Sequence, residues 1–282
     1  MFELWVLIVI AGLGLVAGVL GGLLGVGGST IMIPGLVLLF GQGVAGPGWA
    51  GGYEGLNQHL YQAAAMVVNV FVAVPSTVRH VQAGAVVGRV IKMLLVPALV
   101  AVLVGVWVSN LEVFSGGGGP VLLGRCLAVF MVYVIYVNIK KLFSKPRPVD
   151  EEPDLSGVTV ARTTTVGGVM GFVAGLFGIG GGAVATPLQQ VILRLRLRNC
   201  IANSAAVICI TAGVGAIYKM ATLGAHGLRW QDGLIVAGLL IPTAMLGGWI
   251  GGRLTHVLPV RTVRGVFVVI LILAAWKMAA IG

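Results

Sequence analysis

Apolar runs of membrane-crossing length follow one another along this chain. "LWVLIVIAGLGLVAGVLGGLL", "VIKMLLVPALVAVLVGVWV", "LAVFMVYVIYVNI" and "GVFVVILILAAWKMAAIG" approach or reach the roughly 20 residues that a helix needs to cross about 30 Å of hydrocarbon. Charged residues are only 9% of the 282 positions and hydrophobic ones 58%, where a soluble domain carries about 25% charged. The expected fold class is therefore an all-α polytopic membrane protein forming one compact bundle. No basic stretch precedes the first run, which opens "MFELW", so that run is expected to be retained as structure and not cleaved as a signal.

The runs fall at about 4–24, 30–40, 60–78, 88–109, 121–143, 161–179, 183–193, 201–219, 233–252 and 263–281. Those at 30–40 and 183–193 are too short to span. The stretch "FSKPRPVDEEPDLSGVTVA" is the one place dense in proline and charge, and reads as a linker. It divides the chain into a first transmembrane repeat at 1–143, a cytoplasmic linker at 144–160 and a second transmembrane repeat at 161–282.

Two passages carry the duplication. "GGLLGVGGSTIMIP" at 21–34 returns 153 residues later as "AGLFGIGGGAVATP" at 174–187. Each is followed by three longer apolar segments, the pattern of an internal repeat. "AAAMVVNVFVAVPSTVR" and "NSAAVICITAGVGAIYK" align next, with Arg79 opposite Lys219, and Pro97 and Pro242 hold matching places.

The net charge of +10 is spread as short clusters between apolar runs, which marks topology and not a nucleic-acid face. Loops 41–58 and 110–120 lack Lys and Arg, whereas Arg79, Arg89 and Lys92, then Lys140, Lys141, Lys145 and Arg147, flank the alternate turns. In the second half Arg194, Arg196 and Arg198, and later Arg253, Arg261 and Arg264, read as inside, and the Lys219 to Arg229 loop as outside. Both termini are then outside, and the two halves have inverted topology. Each repeat must open with a glycine-broken helix or re-entrant hairpin, giving about eight spans if the broken helices are counted once.

A helix is expected to break at Gly25, Gly27 and Gly28, and again at Gly178, Gly180, Gly181 and Gly182, because these residues tolerate positive φ and leave backbone uncovered. At membrane depth such a break is tolerated only where protein or a watery cavity satisfies the freed groups. The short segments beginning near Thr30 and Ala183 would present helix N-termini to that cavity, a cradle for a small anion. Ser29 and Thr30 add hydroxyls in the first copy; Thr186, Asn203 and Ser204 stand nearby in the second. Close packing of small-xxx-small glycines is the competing structural reading. A phosphate-binding loop is a third, but "GLLGVGGST" lacks the Gly-Lys-Ser/Thr ending.

All eight acidic residues, Glu3, Glu54, Glu112, Asp150, Glu151, Glu152, Asp154 and Asp232, fall at segment ends or in loops. A buried carboxylate would mark a cation site or proton relay, so the pattern suits a substrate that is itself negative. His59, His80, His226 and His256 are scattered, and no metal site, cofactor or catalytic residue is expected. Cys126, Cys200 and Cys209 lack framework spacing and read as small packing residues. Asn69, Thr211 and Gln189 sit where they could line a path or bond a neighbouring helix. Gln58, His59, Tyr61 and Gln62 read as an interfacial belt in preference to a substrate mouth.

The duplicated "GLLGVGGSTIMIP" and "GLFGIGGGAVATP", with "NCIANSAAVICITA" after the second, resemble the sulfite exporter TauE/SafE family of membrane permeases, over residues 5–281. The resemblance implies a multi-pass transporter of the plasma (inner) membrane for a small sulfur-containing anion such as sulfite, thiosulfate or an organosulfonate like sulfoacetate. The family motif falls on Gly25, Gly27, Gly28 and Pro34, and on Gly178, Gly180, Gly181 and Pro187, with the polar start of the next helix on Asn203 and Ser204. The first half departs from it: Ala63 and Ala64 replace that polar pair, and Ser29 replaces a motif glycine.

Export by alternating access is the function these features favour, with lipid and a small anion as partners and no nucleic acid; a homodimer is one assembly the sequence leaves open. A passive anion channel and an uptake permease for another organic anion remain as alternatives. An accessory protein or enzyme acting through Cys200 and Cys209 is a further class.

Overall fold

In a computed structural model of the chain, the described residues are 4–40, 58–115, 118–143, 155, 157–259 and scattered positions between 265 and 276. Regular structure among them is helical: α1 (Leu4–Leu24), α2 (Ser29–Phe40), α3 (Gln58–Gln82), α4 (Gly88–Ser109), the single turn α5 (Glu112–Ser115), α6 (Gly119–Leu142), α7 (Val160–Phe177), α8 (Gly182–Ile192), α9 (Leu197–Thr222), a 3-10 turn (Leu223–His226) and α10 (Trp230–Leu254). Among the described residues seven helices are long and apolar enough to cross a membrane, namely α1, α3, α4, α6, α7, α9 and α10. The expected last span at 263–281 and the linker at 144–160 lie largely outside the described residues.

The outer surface is that of a bundle in lipid. Val96, Val100, Val129, Val132, Ile217 and Leu246 are exposed, while Ser29, Thr30, Asn69, Asn203, Ser204 and Lys219 are buried. With no water outside to serve a polar group, polar side chains turn inward and pair there.

Glycine ladders decide which helices touch. Along α1, Gly14, Gly18 and Gly22 face Leu240, Ala244 and Gly248 of α10, so close that an added Cβ at Gly18 would strike the Ala244 carbonyl oxygen. Along α7, Gly167, Gly171 and Gly175 meet Leu94, Ala98 and Val102 of α4 in the same manner. In both pairs the residue numbers rise together, so the helices are parallel, and small residues four apart let the backbones approach. α10 also runs parallel to α3, Gly248 lying on Val72 and Gly252 on Ser76. α3 and α9 are antiparallel, since Gly213 meets Val70, Cys209 meets Thr77 and Lys219 meets His59. Thus α1, α3 and α10 point one way, and α4, α7 and α9 the other.

The ladder makes a direct prediction. Gly171→Leu is expected to lower the melting midpoint of the purified protein, by roughly 1–3 kcal/mol of overpacking, because its Cβ alone would run into the Ala98 backbone. Gly168→Leu, where nothing lies within 4 Å of an added Cβ, should melt as the wild type does.

Both short helices fold back along the helices before them. Gly35 of α2 packs on Leu13 of α1, and Gly181 at the start of α8 meets the Met170 carbonyl of α7. α7 is stopped by Gly178 in the left-handed region (φ 71), whose N–H returns to Ala174 O, a common glycine C-cap. Carbonyls in the last turns before the breaks are satisfied from other helices: Ser76 Oγ donates to Gly22 O at 3.1 Å and Thr255 Oγ1 to Leu23 O at 2.9 Å, while Gln62 Nε2 donates to Leu176 O at 3.2 Å. His80 Nδ1 and His256 Nε2 share a hydrogen at 3.1 Å beside Ser76. Burial, and then the charge of Arg198, hold His256 below the ordinary imidazole range.

Three readings of the sequence need correction. Lys219 is not a loop charge: it lies inside α9 and is fully buried, because the antiparallel α3 covers it. Gln58, His59, Tyr61 and Gln62 are not an interfacial belt but buried residues of the bundle. Asp232 does stand at a segment end, in the first turn of α10, but it is 4% exposed, so one carboxylate is buried against the expectation, at a helix N-terminus that suits it.

Candidate functional site

The two breaks meet at the level of the middle of α3, and the side chain between them is Asn69. At Gly27 (φ 80) a Cβ would lie 3.2 Å from Asn69 Oδ1, and at Gly180 (φ 72) it would lie 3.0 Å from Asn69 Nδ2. The positive φ demands glycine at both places, and the absent side chains let one amide lie against both turns. Gly182, which has ordinary φ, is required for approach instead: an added Cβ would strike the Gly25 carbonyl oxygen and lie 2.7 Å from Val26 Cα. The start of α8 therefore rests on the turn that ends α1.

Asn69 also caps α2 from a neighbouring helix. Its Oδ1 accepts from Ser29 N at 3.1 Å, and its Nδ2 donates to Ser29 Oγ at 2.7 Å. This satisfies one of the free N–H groups that open a helix. The next residue, Thr30, is fully buried and its hydroxyl has no hydrogen-bond partner.

A second polar cluster forms where α8 meets α9. Gln189 Nε2 donates to Ser204 Oγ at 2.9 Å, Thr186 Oγ1 lies 3.4 Å from Ser204 Oγ, and Asn203 Nδ2 donates to Gln189 Oε1 at 3.4 Å. Asn203 Oδ1 in turn accepts from Val87 N at 2.9 Å, holding the start of α9 to that of α4. Between this cluster and the first break is a cavity of about 20 Å³ lined by Leu24, Val26, Ala183, Thr186, Pro187 and Ile201 among others. That is room for about one water.

Of the residues singled out in the sequence, the first break (Gly25, Gly27, Gly28, Ser29, Thr30), the second (Gly178, Gly180, Gly181, Gly182) and Asn69 come together. Gly28 and Gly178 lie at their edges, Gly28 against Ala17 and Gly178 against Gln62. Thr186, Gln189, Asn203 and Ser204 form the adjoining cluster. Thr211 does not join either: its hydroxyl donates to Val207 O within α9.

The sequence reading missed that α3 carries a polar stripe along its whole length. Gln58, Gln62, Asn69, Ser76 and His80 are all fully buried, and their spacings of four and seven keep them on one helical face. The spacing was visible in the chain, but its significance depended on α3 being enclosed.

Comparison with known proteins bears on this geometry. The model of a family described as sulfite exporter TauE/SafE matches residues 10–278. The chain is 27% identical over 289 residues to "Probable membrane transporter protein MamO" of Paramagnetospirillum magneticum, which covers 94% of this chain and 43% of that protein. The namesake from Magnetospirillum gryphiswaldense is also 27% identical, with 94% and 44% covered. The chain thus spans less than half the length of these two relatives. "Probable membrane transporter protein YunE" of Bacillus subtilis is 22% identical over 285 residues, with 96% of each chain covered. No solved structure matches the chain.

Proposed function

The chain belongs to the sulfite exporter TauE/SafE family, and we propose that it is a carrier for a small sulfur-containing anion, with its central site where the two broken helices meet. The observation that carries this reading is the pair of glycine turns closed on one amide. Two short helices, of 12 and 11 residues, start at that level, and helix starts attract anions through free N–H groups and the helix dipole. Thr30 contributes a buried hydroxyl still without a partner. Sulfite, thiosulfate or an organosulfonate presents the oxygens that such donors suit, and export is the direction we assign.

The helix directions support two inverted repeats. α1, α3 and α4 of the first half correspond in order to α7, α9 and α10 of the second, and each runs opposite to its counterpart. The ladder at Gly14, Gly18 and Gly22 recurs at Gly167, Gly171 and Gly175 with the same 153-residue offset as the glycine turns. Inverted halves around a midplane site are the usual frame of alternating access. The cavity of about 20 Å³ beside the breaks is too small for a sulfur oxyanion, and the carrier reading includes a movement of one hairpin against the other to admit it. The basic turn at Arg194, Arg196 and Arg198 then faces the cytoplasm, and both termini lie outside.

Counterflow in proteoliposomes tests the reading. Unlabelled sulfite on the far side should accelerate uptake of labelled sulfite, as a carrier requires. Uptake indifferent to trans sulfite would replace the carrier by the passive channel. Unchanged flux after Cys200→Ser and Cys209→Ser together is expected, and its loss would bring back a role for those thiols.

A further inference from the structure

At the end of the bundle where α3 begins and α4 and α9 end, a lysine is enclosed, and among the described residues no carboxylate is bonded to it. Lys219 is fully buried, and its Nζ donates to Ser109 Oγ, Asn110 Oδ1 and His59 Nδ1, each at 2.8 Å. All three acceptors are neutral. His59 Nε2, carrying the proton when Nδ1 accepts, donates to Phe114 O at 3.0 Å, and its ring stacks on His226 with centroids 3.9 Å apart. His226 Nε2 lies 3.0 Å from Asn110 Oδ1. A buried ammonium ordinarily has a counter-charge, and none of the groups bonded to this one supplies it.

The same end of α3 also carries polar atoms without partners. Gln58, immediately before His59, is fully buried with neither Nε2 nor Oε1 hydrogen-bonded. Gln62, one turn further along the same face, has a buried and unpartnered Oε1, and it packs against Gly178 of the second break. Beyond Gln62 the stripe reaches Asn69. The cation thus stands at the head of a polar track leading to the central turns.

We propose that the Lys219 ammonium, with His59 and Gln58, forms a second binding station for a small oxyanion, through which the anion passes between solution and the central site. The proposal rests on the anion-carrier reading for the identity of its ligand. An arriving oxyanion supplies the missing negative charge, takes an ammonium hydrogen in exchange for one of the neutral acceptors, and gives the Gln58 amide an acceptor. His59 holds the Lys219 amine across the gap between α9 and α3, and His226 stacks on the His59 ring.

The test is equilibrium dialysis of the purified full chain with radiolabelled thiosulfate. The wild type is expected to bind in two components. Lys219→Gln should remove one of them, Lys219→Arg should keep both, and Asn69→Ala should remove the other. Gln58→Leu breaks no side-chain hydrogen bond among the described residues and should weaken the Lys219-dependent component by about tenfold, the worth of a charge-assisted contact. It decides the matter if Lys219→Gln does not yield folded protein. Two components retained in Lys219→Gln, or wild-type affinity in Gln58→Leu, would overturn the station while leaving the central site intact. Loss of a component in Lys219→Gln, with none lost in Asn69→Ala, would keep the station and overturn the central site.

Discussion

Chain carrying Gly180→Val, reconstituted in liposomes, is expected to move no sulfite above the leak of empty vesicles while still purifying as a single folded species. Gly180 has φ 72, and a Cβ there already reaches to 3.0 Å from Asn69 Nδ2. A β-branched residue in that backbone region costs on the order of 1–3 kcal/mol, and its two methyl groups displace the amide that lies against both turns. Gly27→Val should behave alike, for φ is 80 and the same side chain is in the way. The loss is expected to be specific to the turn. Gly168→Val, on an open helix face, should retain flux, so glycine content as such is not what matters. Equal flux in Gly180→Val and wild type would show that the break is only a packing device.

Asn69 gives the second large effect, and two substitutions separate its roles. Asn69→Ala removes both hydrogen bonds to Ser29, a capping loss of about 1–2 kcal/mol, and should cut flux severely with a modest fall in melting midpoint. Asn69→Asp keeps the shape and an acceptor for Ser29 N but puts a carboxyl at a fully buried position, so its melting midpoint should fall at least as far as that of Asn69→Ala. It also places a negative charge where the proposed carrier would hold its anion. Flux in Asn69→Asp should therefore be at least as low as in Asn69→Ala despite the acceptor kept for Ser29 N. Near-normal anion flux in Asn69→Asp would mean that the ion does not approach this amide.

The glycine turns and the short helices were legible in the sequence because their causes are local. Glycine where φ is positive, and the short apolar runs at 30–40 and 183–193, announce themselves without knowledge of neighbours. Ser29 and Thr30 followed from standing at a helix start. Asn69 was noticed as a polar residue within an apolar segment, but its contact with both turns depends on how α3 threads between them.

The Lys219 cluster was not legible, for a related reason. A lysine at the end of an apolar run is in most chains a topology signal, and Gln58, His59 and Gln62 at the start of another suit an interface. Only the antiparallel packing of α3 on α9 encloses them together. The recurring ladder at Gly14, Gly18 and Gly22 and at Gly167, Gly171 and Gly175 was available in the sequence. It was obscured by the density of other glycines, 45 in all, and became distinct once α4 and α10 were seen against those faces.

The central claim is that the two glycine turns bind a small sulfur-containing anion, and ligand-induced thermal stabilisation tests it most directly. Purified wild type and Asn69→Ala would be melted against sulfite, thiosulfate, sulfoacetate, taurine and sulfate. An anion held by the folded state raises the midpoint with concentration, by about 2.7 kcal/mol of stability at a hundred times its dissociation constant. The account predicts a saturable rise with at least one sulfur anion in the wild type, and a clearly smaller rise in Asn69→Ala. No rise with any of the five ligands, or the same rise in both proteins, would contradict it.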